Sequence, residues 1–160
     1  ETSTVGSDPA LLGTGLPVGS GTGSLTDRVS GGSDVSGSQA GVRAVRGATT
    51  VDADDAEQIR TRVGEMLAVI VERNELSDDD LISCFFTATS DITAMFPATA
   101  ARDFGWHDVP LLGAVELAVR DATPLCIRVL VHVASTRARS EMRHVYLHGA
   151  VDLRNDVPGR

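Results

Sequence analysis

Two arginines stand inside apolar, strand-like stretches: Arg46 in VRAVRGATT and Arg128 in CIRVLVHV. A guanidinium stays charged and grips carboxylates with a rigid two-pronged geometry, so an arginine projecting from a strand into a cleft could hold an anionic ligand. Strand alternation alone would instead set either one on a solvated face. Glu116 lies in a similarly apolar run, VPLLGAVELAV. A buried carboxylate is costly unless paired, so Glu116 either neighbours an arginine or faces water. Tyr146, the only tyrosine, sits in another strand-like stretch, where packing with a hydrated hydroxyl is the ordinary role. Singly, none of these residues defines a reaction.

Other chemistries find less support. His144 and His148 have i, i+4 spacing, but HVYLH reads as a strand, which would separate them by about 13 Å, and no HExxH pattern accompanies them. The acidic run Asp78, Asp79, Asp80 lacks the alternating ligands of a calcium loop and reads as a solvated turn or helix cap. Ser83 and Ser90 lack a nucleophile-elbow context. Cys84 and Cys126 form no CxxC pair, so no zinc knuckle or redox motif is expected. All 14 basic residues are arginine. Without lysine there is no Schiff base, no pyridoxal-phosphate anchor and no P-loop.

The elements that must position these side chains follow from periodicity. A strand is expected over residues 42–48, with Val42 and Ala44 alternating, with some slippage, against Arg43 and Arg46, and a turn over 49–54. Asp54 with Glu57 has the form of a capping box, opening a helix that runs to about Asn74. Ile59, Val63, Met66, Leu67 and Ile70 give that helix one buried stripe. Residues 81–89, 109–117, 126–133 and 145–147 read as strands, and Pro97 opens a short helix. One long helix among strands that do not alternate strictly with helices predicts an α+β fold, a mixed sheet packed against one long and one short helix.

The 160 residues include 22 acidic side chains against the 14 arginines, a net charge of −8 that argues against a nucleic-acid binder. Residues 1–41 hold 10 of the 16 glycines and 8 serines, without Phe, Trp or Tyr, and read as a flexible Gly/Ser-rich N-terminal extension before a single domain over 42–160. The longest apolar run, 66–71, is far shorter than the roughly 20 residues of a membrane span. With no secretory pattern at the N-terminus, a cytoplasmic location is expected.

The stretches VRAVRGATTVD at 42–52, FPATAAR at 96–102, GWHDVPL at 105–111, CIRV at 126–129 and RHVYLHGAVDLR at 143–154 act together. RGATT, CIRV and RHVYL in this order form a specific combination. From residue 42 to about 156 the chain resembles the monofunctional, bacillus-type chorismate mutases of the AroH class. The resemblance implies isomerisation of chorismate to prephenate, towards phenylalanine and tyrosine, without cofactor or metal. It also implies a homotrimer with a central barrel-like core and three sites between subunits. Arg46 would bind a substrate carboxylate with Tyr146 on the same side, Arg128 would contact the ether oxygen and Glu116 the ring hydroxyl. Phe96, Ala98 and Arg102 would come from the neighbouring subunit, and Leu153 and Arg154 would lie near a C-terminal lid. Thr99 stands where a lysine is familiar, and Leu112 and Gly113 replace a Thr-Cys pair that orients the substrate.

Overall fold

The computed structural model describes residues 39–154. The expected N-terminal extension lies outside this span except for its last three residues, as does the tail beyond Arg154. The elements are β1 (Gly41–Thr50), α1 (Ala56–Asn74), β2 (Leu81–Ala88), α2 (Pro97–Phe104), β3 (Leu111–Val115), β4 (Cys126–Ser135) and β5 (Val145–Tyr146), with 3-10 turns at Asp78–Asp80, Arg139–Glu141 and His148–Arg154. The strands form one mixed sheet in the order β3-β2-β4-β1-β5. β4 runs antiparallel to β1 and β2, whereas β3 is parallel to β2 and β5 parallel to β1. This is the α+β architecture expected from the sequence.

The expected stripe of α1 is fully buried: Ile59, Val63, Met66, Leu67 and Ile70 have no exposed surface. They meet Val45, Phe86, Val129, Val131 and Val133 of the sheet in one core. The cap differs from expectation by one residue. Asp55 is the N-cap and accepts from the Gln58 amide at 2.9 Å, while the Gln58 side chain accepts from the amides of Asp52 and Ala53. Asp54 turns outward and binds the segment before α2, accepting from Thr93 N, Thr93 Oγ1 and Ala94 N. These bonds hold the Asp54 carboxyl below its ordinary pKa, the Thr93 hydroxyl contributing most. At the other end, Glu75 closes α1 in the left-handed conformation (φ 53°). The Asn74 side chain donates to the carbonyls of Ile70 and Arg143 and accepts from the Arg143 amide, so it ties the helix end to the chain entering β5.

β1 is longer than expected. Thr49 and Thr50 stay in the ladder opposite Ile127 and Cys126 instead of turning. Its core face is also the other one: Val45 and Thr49 are fully buried, whereas Val42 is 66% exposed. The reason lies at Gly47. A Cβ there would stand 2.7 Å from Val129 Cγ1, 2.8 Å from Ile70 Cδ1 and 3.0 Å from Met66 Sδ, so α1 rests directly on the β1 backbone. Gly47→Ala is therefore expected to destabilise the domain by about 1–3 kcal/mol through overpacking. The check is a urea midpoint that falls at unchanged m-value.

Helices cover one face of the sheet. The opposite face carries Val42, Ala44, Phe85, Leu112 and Leu130 with the two strand arginines, and Leu112 is 61% exposed.

Candidate active site

One register row crosses all five strands. Ala114 pairs with Thr87, Thr87 with Arg128, Arg128 with Ala48, and Ala48 with Tyr146. Residues of one row share a face, here the one opposite the helices. Neighbouring strands lie about 4.8 Å apart, which puts the Arg128 and Tyr146 backbones about 10 Å from each other across the small side chain of Ala48. Arg46 precedes Ala48 by two residues on β1 and shares the face. Solvated-face placement of the arginines, which alternation alone would allow, is thus only half right: they leave the core, but for a face lined by apolar neighbours.

Glu116 follows the end of β3, fixed by its amide donating to the Ala88 carbonyl at 2.8 Å. Its Oε2 accepts from Thr87 Oγ1 at 2.7 Å and faces Arg128 Nη1 at 3.4 Å. Both side chains are mostly shielded, with 34% of Arg128 and 19% of Glu116 exposed. The Thr87 hydroxyl, then the Arg128 charge and the Leu117 amide, hold the Glu116 carboxyl below its ordinary pKa against the opposing effect of burial. Two donors of the row, Arg128 Nε and the Tyr146 hydroxyl, are buried with no hydrogen-bond partner among the described residues. Buried polar atoms are ordinarily satisfied, so a pair of unsatisfied donors beside an arginine–carboxylate pair fits a site that binds an acceptor-rich ligand.

A cavity of about 790 Å³ opens at the ends of β2 and β3, beneath residues 89–95 and the start of α2. Phe96, Ala98, Thr99, Arg102 and Gly113 line it. Phe96 is 80% exposed at its rim. Arg46, Arg128, Glu116 and Tyr146 do not line it, so one chain presents the expected site residues in two groups. Thr87 and Ala114 belong to both, standing in the register row and on the cavity wall. Leu112 lies on the apolar open face of β3. Leu153 is half-buried in the last 3-10 turn, which Arg154 closes and which is tied to β1 by the Gly149 amide donating to Thr50 Oγ1 at 2.9 Å.

Thr87 was not legible as a site residue: it is one polar residue in a β-rich stretch, and its partner lies 29 positions away. Strand alternation does set it on the face of Ser83 and Phe85, the only sequence signal it carries. The two histidines contact different elements, and the strand expected over HVYLH holds only Val145 and Tyr146. His144 Nδ1 accepts from the Arg46 amide, whereas His148 leaves the strand and contacts Arg62 and Glu65 on α1. Among the described residues no group of three or more His, Cys, Asp or Glu could hold a metal ion. The acidic run forms the turn expected of it, with Asp80 accepting from the amide and hydroxyl of Ser77. Burial pushes the Cys84 thiol up to about 12, outside any nucleophilic range.

A helix-backed sheet carries an arginine–carboxylate pair on its open face, next to a cavity lined by Arg102, an arrangement with the groups to hold a small anionic molecule. Residues 42–157 match the family described as chorismate mutase type I, and the chain belongs to that family, whose members are isomerases. The chain is 44% identical over 117 residues to the chorismate mutase AroH of Thermus thermophilus, covering 72% of this chain and 96% of that one. It is 38% identical over 117 residues to the chorismate mutase AroH of Bacillus subtilis (strain 168), covering 72% and 92%. A solved chorismate mutase from Clostridium thermocellum superposes with a TM-score of 0.65 at 42% identity, covering 67% of this chain and 96% of its own.

Proposed function

We propose that the domain from residue 42 onward converts chorismate to prephenate in a cleft shared by two copies of the chain, without covalent catalysis. The observation that carries this reading is the arginine–carboxylate pair Arg128–Glu116 beside two unsatisfied buried donors, Arg128 Nε and Tyr146 Oη. The reaction is an intramolecular Claisen rearrangement: the ether C–O bond breaks as a C–C bond forms, within one molecule. It needs no nucleophile and no redox partner. It needs the enolpyruvyl group held over the ring, and charge stabilised at the ether oxygen as the C–O bond lengthens.

Arg128 suits the second demand. Its fork is fixed by Glu116 on one side, and Nε–H remains to donate to the oxygen as negative charge develops there. Arg46 binds a substrate carboxylate, with the Tyr146 hydroxyl donating from the neighbouring strand. The free Glu116 lone pairs accept from the ring hydroxyl. The other wall comes from a second copy of the chain through Phe96, Ala98, Thr99 and Arg102. Leu112 and Gly113 shape the cleft edge, and Leu153 and Arg154 close it from the C-terminal side. Arginines concentrate a dianionic substrate locally against the net negative charge of the protein.

Separation of the expected residues into two groups supports a shared site, and the apolar face opposite the helices supports closure of three copies around a central core. No helix among the described residues is long and apolar enough to cross a membrane. A cytoplasmic enzyme of aromatic amino acid biosynthesis, preceded by a Gly/Ser-rich extension over 1–41, is the reading that fits. The test is the loss of chorismate's ultraviolet absorbance with purified protein and no added cofactor, together with mass by light scattering. Decay by a trimer supports the reading, and a trimer that binds chorismate without turnover overturns it.

A further inference from the structure

We propose that Thr87 is a positioning residue for this reaction, setting the rotamer of Glu116 so that one carboxylate oxygen is left to the substrate. The inference rests on the role given to Glu116 above. Thr87 lies on β2 and Glu116 just past the end of β3, and the bond between them, 2.7 Å from hydroxyl to Oε2, crosses from the β2 register row to the chain leaving β3. The same Oε2 faces Arg128 Nη1. Both strong partners therefore share one oxygen. Oε1 accepts a longer bond, 3.3 Å, from the amide of Leu117 and keeps acceptor capacity.

Without the Thr87 hydroxyl, a carboxylate held by Arg128 alone could rotate to a two-pronged pairing with the guanidinium. Both oxygens would then be engaged, and the guanidinium would be turned away from the ether oxygen. Thr87 also lines the cavity that contains Phe96 and Arg102, so it stands where the two groups of site residues meet. A threonine here does what no apolar strand residue of the same shape can, and valine is that residue.

The groups facing Glu116 simplify a pH test. Arg128 on β4 stays charged, and burial keeps the nearby Cys126 thiol neutral by raising its pKa. The Thr87 hydroxyl is the largest cause lowering the Glu116 pKa. In the wild type the ionised carboxylate, the form able to accept from a substrate hydroxyl, persists below the usual carboxylate range. Loss of the hydroxyl raises that pKa, so activity is lost on acidification at a higher pH than in the wild type.

The experiment measures kcat and KM against pH for Thr87→Val, Thr87→Ser, Glu116→Gln and the double variant Thr87→Val/Glu116→Gln, with circular dichroism and light scattering on each. Thr87→Val is expected to lower kcat/KM about tenfold or more, through kcat as well as KM, and to move the acid limb upward. Thr87→Ser restores both, and the valine costs nothing further once Glu116 is glutamine. Wild-type kinetics for Thr87→Val with an impaired Glu116→Gln would overturn the role of Thr87 and leave the active-site reading standing. A valine effect of undiminished size in the Glu116→Gln background overturns it equally, since Thr87 then acts elsewhere. Wild-type activity of Glu116→Gln overturns both.

Discussion

Replacing Arg128 with alanine is expected to lower kcat on chorismate by about 10²–10³-fold, the cost of removing one preorganised donor from the position where charge develops. The protein should remain folded, because the lost side chain leaves the sheet from the face away from the helix-backed core, and light scattering checks its assembly. Two effects add in the same direction. The ether oxygen loses its donor, and Glu116 loses the charge that shares its Oε2 with Thr87, so its carboxyl pKa rises. Arg128→Lys is expected to recover only part of the rate. An ammonium is a point charge without the planar fork, and it cannot face Glu116 and the substrate oxygen at fixed angles. Absorbance decay at saturating chorismate reads both variants. A kcat within twofold of wild type for Arg128→Ala would remove the electrostatic mechanism altogether.

Two variants that are each nearly inactive are expected to regain activity when mixed. Arg128 stands in the register row and Arg102 on the cavity wall, and the proposed cleft joins the row of one copy to the cavity of the next. Arg128→Ala subunits still supply Arg102, and Arg102→Ala subunits still supply Arg128. After unfolding and refolding an equal mixture, about one quarter of the clefts in randomly assembled trimers combine two intact halves. Activity near that fraction of wild type, from components that show almost none apart, is the expected reading. If each chain completes its own site, every cleft carries one lesion and mixing restores nothing. The experiment needs no structure of the assembly.

The apolar periodicity of α1 was fully legible, since five residues at three- and four-residue spacing can only form one stripe and that stripe is buried. Its cap was less so. Asp54 and Asp55 are adjacent residues of one type, and only the tertiary contact to Thr93 and Ala94 decides which is left to bind the Gln58 amide. The core face of β1 was misread because both faces carry apolar residues. A glycine, silent in a hydrophobic pattern, marks the face the helix touches. Arg46, Arg128, Glu116 and Tyr146 were legible as a set through family resemblance. Their placement along one face required the sheet register, which joins residues up to about 98 positions apart, as Ala48 to Tyr146. Thr87 required that register and a side-chain bond besides.

The strand order β3-β2-β4-β1-β5 has a consequence for how the chain is made. β1 is synthesised first, yet both of its neighbours, β4 and β5, are synthesised last. As the chain leaves the ribosome at about 5–20 residues per second, β1 waits several seconds for its hydrogen-bond partners. During that wait only α1, the next element to emerge, can shelter its apolar side, and the direct seat of the helix on Gly47 makes this early pairing a close one. The other edge groups of β1 stay open until Cys126–Ser135 arrives. Pairings this distant in sequence fold slowly. A nascent chain stalled before β4 would therefore expose an unpaired strand, and that intermediate is the one a chaperone would have to meet.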